Sequence, residues 1–312
     1  MPDRAITIHS GDVALAGSLS GPPGADAPLV ICVHGSGPLD RDQNMPEQRL
    51  DIFNTIARFL EGRGVASLRY DKRGTGASTG DYWNAGHFDL LDDLLAVIGY
   101  ARDQGHRVVY LLGHSEGTLL AAEASVRRAV DGLILVSPFV QDLEPTLRMQ
   151  ARRLEEALAA MPGWQARCYR VLARLSGGPV KAQDRLIRRL KSTTDASFGR
   201  GQGRVPARAL REMLGIEVDG VYRTVRVPTL LLGGAKDLQC DPGDVQEIAA
   251  ILGPLATPVV VPDLTHILRK DPGEHTFNSY AALIREPMAP EVCERIGSWL
   301  ATRHPLIAGG PA

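Results

Sequence analysis

Cysteine is scarce in this chain, with four residues in 312. Cys32, Cys168, Cys240 and Cys293 stand far apart, with no C-x-x-C pair and no Cys/His spacing that suits zinc. A disulfide framework and a structural metal are therefore set aside, and the four read as thiols of a reducing compartment. Long apolar runs are missing too: the unbroken stretches fall far short of the roughly 20 residues that span a bilayer. The opening MPDRAITIHSGDVALAGSLSG has neither the apolar stretch nor the cleavage signal of a secretory leader. There is no excess of charge, since 35 Lys and Arg meet 36 Asp and Glu for a formal net charge of -1. Nothing global then points to nucleic acid or an anionic membrane. What remains is ordinary globular composition, 44% hydrophobic and 23% charged, with length for one large α/β domain carrying an insertion or for two small domains. The expected location is the cytoplasm.

Six short runs carry the fold signal: Leu29 to Val33, Val65 to Leu68, Val108 to Leu112, Leu133 to Val136, Thr229 to Leu232 and Pro258 to Val261. Each is unalternated, rich in β-branched residues or Leu, and bounded by Gly, Pro or charge, as in parallel strands buried on both faces. Helical patterns lie between most of them. Ile52, Ile56, Phe59 and Leu60 share one stripe, and Leu90, Leu91, Leu94, Val97 and Ile98 share another. This rhythm predicts a doubly wound α/β sheet. Ala5 to Ile8 and Val13 to Leu19 alternate instead and predict an antiparallel hairpin at the sheet edge.

From Phe139 to Arg226 the rhythm breaks. No strong strand is present, and apolar stripes at Leu147, Ala151, Leu154, Leu158 and Met161, at Cys168, Val171, Leu172 and Leu175, and at Leu186, Ile187 and Leu190 predict helices. The expected division is a core of residues 1–138 and 227–312 with a helical cap at 139–226. The cap holds 17 Lys and Arg against 9 Asp and Glu, which reads as solvated helix faces or as a surface that attracts anions.

The chemistry-bearing motif is Gly113-His114-Ser115-Glu116-Gly117, placed between the strand VVYLL and the helical TLLAAEASV. A serine on so sharp a strand-to-helix turn needs positions without bulk two residues before and after it, and both are glycine. The helix N-terminus beneath it offers free N–H groups and partial positive charge. Ser115 is the expected nucleophile. It needs a base and an orienting acid, which follow the serine in the order acid then histidine. Of His266, His275 and His304, only His266 comes shortly after a strand, in VPDLTHIL, and it is the expected base. Asp237 ends TLLLGGAKD after a Gly-Gly turn and is the expected acid. Asp241 reads as the N-cap of the next helix, and Asp263 arises from the wrong strand. For the oxyanion, one backbone donor is expected from Glu116, whose side chain reads as structural. The second is expected from Ser36 or Gly37 in His34-Gly35-Ser36-Gly37, and the sequence does not separate them.

At these residues the chain resembles the α/β-hydrolase superfamily, most of all its bacterial esterase and serine-aminopeptidase-like branch. VHGSGPLDRDQN resembles the oxyanion loop of that branch, RYDKRGTGAS the turn after its next strand, and GHSEG, GAKDLQC and THIL the three triad positions. The resemblance implies an eight-stranded, mostly parallel sheet flanked by helices, with a helical cap where this family carries its lid. It implies catalytic roles for Ser115, Asp237 and His266 and a structural role for Asp71 and Arg73. No cofactor and no metal is implied. The expected activity is hydrolysis of a carboxylic ester of a small-molecule acyl substrate through an acyl-enzyme. Aminopeptidase and acyl-CoA thioesterase chemistry would use the same triad, and a non-catalytic binder on this scaffold would normally have lost part of it. Oligomeric state is left open, a homodimer included.

Overall fold

The computed structural model describes residues 3–22, 24, 27–45, 47–160, 163, 167, 170, 171, 173, 177–273 and 279–304. Cys168, Leu172, Leu175 and His275 lie outside them, and so does Met161.

Eight strands form one sheet: β1 Arg4–Ser10, β2 Val13–Ser20, β3 Leu29–Val33, β4 Ala66–Tyr70, β5 Val109–His114, β6 Gly132–Val136, β7 Thr229–Gly234 and β8 Ala256–Val261. Their order is β1-β2-β4-β3-β5-β6-β7-β8. The β1–β2 hairpin is antiparallel, with Ile6 opposite Gly17, and β2 is antiparallel to β4; all remaining pairs are parallel. This is the α/β-hydrolase sheet, with the predicted hairpin at its edge.

The apolar runs of the central strands feed two cores at once. In β3, Leu29, Ile31 and Val33 face one core while Val30 and Cys32 face the other. In β5, Leu111 and Leu112 divide the same way. Alternate side chains point to opposite faces, so a strand covered on both sides must be apolar throughout. Helix α1 Ile52–Glu61 covers the second core with buried Ile52, Phe53, Ile56 and Leu60, while Phe59 is only half-buried. Helix α2 His87–Asp103 and helix α3 Glu116–Arg127 cover the first. Leu90, Leu91, Leu94, Val97 and Ile98 are all buried, as their spacing predicts. Each such side chain contributes about 1.5–3 kcal/mol by leaving water.

One strand departs from expectation. Pro258 to Val261 reads as buried on both faces, yet β8 is half exposed, with Val260 38% accessible. It is the last strand in the order, so only β7 covers it laterally.

Between β6 and β7 run helix α4 Leu143–Ala160, helix α5 Gly178–Ser192, helix α6 Ala207–Met213 and helix α7 Val218–Thr224. α4 and α5 pack as a pair, with Arg148 bonded to Asp184 and Lys191 to Glu144 across them. Ile187 and Leu190 are buried, and Leu154 is exposed. By contrast α6 packs on α2, and α7 packs on α3 and on helix α8 Asp244–Leu252, burying Val218 and Tyr222 in the first core. After β8 come helix α9 Tyr280–Leu283 and helix α10 Pro290–Ala301, whose Ile296 and Trp299 join the second core. No helix among the described residues is long and apolar enough to cross a membrane.

Packing around the motif turn leaves no room for side chains at its glycines. A Cβ on Gly117 would sit 2.2 Å from the Val33 carbonyl, and one on Gly113 would sit 2.3 Å from the Gly117 carbonyl. Both obstacles are backbone, which cannot rotate away. Gly117→Ala is expected to destabilise the fold by about 3 kcal/mol, toward the upper end of overpacking costs. Urea unfolding of the variant beside the parent checks this, and an unchanged midpoint would contradict the packing described.

Candidate active site

Ser115 stands between the end of β5 and the start of α3 at φ 55° and ψ -121°. A non-glycine residue there is strained by roughly 1–3 kcal/mol. The strain is enforced from both sides: Ser115 N–H is held by the Val136 carbonyl at 3.0 Å, and Thr118 N–H returns to the Ser115 carbonyl at 2.9 Å. Ala121 and Ala122 behind the turn are fully buried, which lets α3 approach the sheet.

Asp237 follows β7. The Gly233-Gly234 pair, expected as a turn, belongs to the strand itself. Glycine is needed at 234 because the incoming histidine loop crosses there: a Cβ would lie 2.2 Å from the Leu264 carbonyl. Two further backbone bonds, Ala235 N–H to Val261 and Lys236 N–H to Leu264, stitch the acid loop to the histidine loop. The Asp237 carboxylate accepts from His266 Nδ1 at 2.8 Å and from the amides of Gln239 at 2.8 Å and Cys240 at 2.9 Å. Burial by itself would raise its pKa, but His266 and the two amides outweigh burial and hold the carboxyl below its ordinary value. His266 is buried, and its Nδ1–H donation to the acid leaves Nε2 as the free basic nitrogen.

The other acids stand apart from this pair. Asp241 was expected as a helix N-cap, but α8 begins later, after Gly243. The Asp241 carboxylate accepts the Gly243 N–H at 2.9 Å and pairs with Arg153 at 2.9 Å. Asp263 pairs with Lys236 near the surface, and His304 bonds to the Tyr110 hydroxyl at the far end of the sheet. Asp71 and Arg73 serve structure. Asp71 binds the Arg41 guanidinium through both oxygens, and Arg73 binds Asp93.

Ser115, Glu116, Ser36 and His266 open onto one cavity of about 470 Å³. Its floor is the elbow and its far wall includes Leu143, Thr146, Leu147 and Gln150 of α4 and Met213 of α6. The loop amides are not equivalent. Gly37 N–H donates to the Tyr82 hydroxyl at 3.1 Å and Gly35 N–H to Gln43 Oε1 at 3.3 Å, while Ser36 N–H has no protein partner among the described residues.

Several contributors escaped sequence reasoning. Gln43 binds Gly35 through its oxygen and His114 Nδ1 through its nitrogen at 2.6 Å. His114 Nε2 then meets the His266 carbonyl at 3.0 Å. One chain of bonds thus joins the Gly35 loop, the elbow and the histidine loop. Gln43 lies within the quoted VHGSGPLDRDQN and His114 within GHSEG, but nothing in a sequence shows that they touch. Cys240 lines the cavity and contacts the Ser115 side chain; burial pushes its thiol well above the ordinary range, so it is neutral. From α4, Gln150 donates to the Gln239 carbonyl at 2.9 Å and Arg153 to the Asp237 carbonyl at 3.2 Å, tying that helix to the acid loop.

Two consequences can be measured. Ser115→Gly removes the strain at the turn and is expected to raise stability by about 1–2 kcal/mol in urea unfolding; a loss of stability would mean the turn is relaxed. His34 and His114 are buried and neutral, each pushed down to about 3, by burial first and then by Lys72 and His266 respectively. Between their ordinary value near 6.5 and about 3, the unfolded chain binds protons that the folded chain refuses. Stability is therefore expected to fall as pH drops below about 6.5, by about 1.4 kcal/mol per pH unit for each histidine. Urea unfolding between neutral and mildly acidic pH checks the slope, which should be shallower in His34→Leu.

The chain is similar to known proteins over most of its length. The family model described as serine aminopeptidase, S33 matches residues 48–273, a span that holds the elbow, Asp237 and His266. Esterase EstD of Thermotoga maritima is 25% identical over 303 residues, covering 96% of this chain and 67% of that protein. Among solved structures, Est1E of Butyrivibrio proteoclasticus, captured with ferulic acid, superposes with a TM-score of 0.60 at 19% identity, covering 95% of this chain and all of that one. The proline iminopeptidase-related protein TTHA1809 of Thermus thermophilus gives 0.61 at 20% identity, covering 98% of this chain and all of that one. A match across most of the chain, on an eight-stranded sheet of this order, makes the protein a member of the serine aminopeptidase S33 family of α/β-hydrolases.

Proposed function

We propose that this protein hydrolyses carboxylic esters through an acyl-enzyme on Ser115. The observation that carries the reading is the buried Asp237–His266 pair opening with Ser115 onto a single cavity. His266 takes the Ser115 proton as the hydroxyl oxygen attacks the acyl carbon, then gives it to the leaving alcohol. Water enters by the same route and releases the acid. Asp237 keeps the ring oriented and stabilises its transient positive charge. The oxyanion is held by the amides of Glu116 and Ser36; Gly37 is set aside because its N–H is already given to Tyr82.

The cavity favours an uncharged substrate. Among the described residues its acidic and basic lining groups are His114, His266 and Glu116, whose carboxylate lies 3.7 Å from the Lys72 ammonium, while burial raises the pKa of the Cys240 thiol and the Tyr280 hydroxyl and keeps both neutral. An aminopeptidase needs an anionic anchor for its substrate's ammonium group, and Glu116 is already paired. Leu143, Leu147 and Met213 offer apolar surface, while Gln48, Gln150 and Gln239 offer neutral hydrogen bonds. Similarity to Esterase EstD supports the same reading. In this account α4 and α5 form the cap over the acyl or alcohol side.

Ser115→Ala is expected to lower p-nitrophenyl ester hydrolysis by a factor of about 10⁴ or more while leaving the fold intact. Equal turnover by variant and parent would remove Ser115 from the chemistry. In a side-by-side profile, neutral short-chain esters are expected to exceed aminoacyl anilides in kcat/KM by about 100-fold or more. Preference for the anilides, or for acyl-CoA, would reassign the substrate.

A further inference from the structure

Lys72 is a buried charge that the chemistry above leaves without a task. It follows β4 and is only 3% exposed, and burial pushes its pKa below the ordinary lysine value even though Glu116 works the other way. Hiding an ammonium costs several kcal/mol unless its partners repay it. Its partners are specific. Nζ donates to the Gly35 carbonyl at 2.6 Å, lies 3.7 Å from Glu116 Oε2, and stands 5.5 Å from the centre of the Tyr82 ring.

The Gly35 carbonyl belongs to the same peptide group as the Ser36 N–H. A cation on the oxygen of an amide draws electron density toward that oxygen and leaves the N–H a stronger donor. The same contact fixes the plane of the peptide, and Gln43 holds the preceding amide. The other partner, Glu116, carries the second N–H of the proposed oxyanion hole on its own backbone. One ammonium therefore meets the carbonyl of one donor peptide and the side chain of the residue that carries the other donor, and it does not line the cavity. Tyr82, under the same cation, occupies the Gly37 N–H, so the loop presents Ser36 alone.

We infer that Lys72 is a positioning residue of the oxyanion hole, polarising and aiming the Gly35–Ser36 peptide while anchoring Glu116 at the start of α3. The inference rests on the hydrolytic reading of Ser115. Lys72 gains its effect when negative charge develops on the acyl oxygen, so it acts on the transition state far more than on bound substrate.

The test uses three variants of the full chain: Lys72→Met, Glu116→Gln, and the two combined. The double variant matters because Lys72→Met alone strands a buried carboxylate and can lose the fold. Circular dichroism and thermal melting identify the folded variants, and a fluorophosphonate probe reports whether Ser115 is reactive in the parent. With p-nitrophenyl esters the double variant is expected to lose about 10- to 100-fold in kcat with KM changed less than about threefold. Glu116→Gln, which keeps the ammonium on the Gly35 carbonyl, is expected to lose at least about tenfold less than the double variant. A boronic acid that mimics the tetrahedral state should lose affinity in parallel with kcat. In the infrared, the acyl-enzyme carbonyl of the folded double variant should shift to higher frequency, the sign of a weaker hole.

A folded double variant with parent-like kcat overturns the inference, as does a loss that appears in KM alone. Equal losses in Glu116→Gln and the double variant also overturn it, since Lys72 would then only neutralise Glu116. Failure of the probe to label the parent overturns the hydrolytic reading itself and is recognisable before any variant is made.

Discussion

Everything at the site depends on three stretches of backbone brought closer together than side chains allow. β3 ends against the first turn of α3, and β5 ends against the same turn, with Gly117 and Gly113 at the contacts. That contact forces Ser115 to positive φ, sets the axis of α3, and presses the Gly35 loop against the elbow, where a Cβ on Gly35 would lie 3.3 Å from the Ser115 Cβ. Ser115, the start of α3 and the Gly35 loop are consequently packed as one unit. The Asp237–His266 pair is a second one, built by the crossing of the histidine loop over Gly234. The Gln43–His114 chain of bonds joins the two through the His266 carbonyl.

Electrostatics follow from the same crowding. Water is kept from His34 and His114, so both stay neutral and act as aromatic packing or as fixed hydrogen-bond relays. Burial pushes the Lys72 pKa down, and a carbonyl and a carboxylate that meet its Nζ work against burial. Such groups lower stability relative to an apolar core, and their retention fits a site that needs preformed dipoles.

The parts legible in the sequence are those governed by local pattern. Six apolar runs and one alternating hairpin mark all eight strands, because a strand's surroundings dictate its alternation. The elbow was legible because backbone strain demands glycine at fixed offsets. The Asp237 and His266 positions could be read from strand order and from the resemblance. What the pattern hid was contact between distant loops. Nothing near Gln43, Lys72, Tyr82 or Arg153 announces a partner 37 to 84 residues away. The exposure of β8 is hidden for a related reason: an edge strand with the same Val-rich composition as a central one differs only in what lies beside it. Which of Ser36 and Gly37 keeps an unpaired N–H among the described residues turns on a tyrosine hydroxyl, which no loop sequence encodes.

The two ends of the sheet bear on how copies of the chain meet. β1 exposes Arg4, Thr7 and His9 beside its hairpin partner, and β8 carries Pro258 in mid-strand opposite Leu231. Proline has no N–H to give a ninth strand, and its ring crowds an approaching neighbour. A half-exposed valine edge would otherwise be a template for strand addition. With Pro258 in place, the sheet is capped by sequence at eight strands, and association through that edge is disfavoured from the outset.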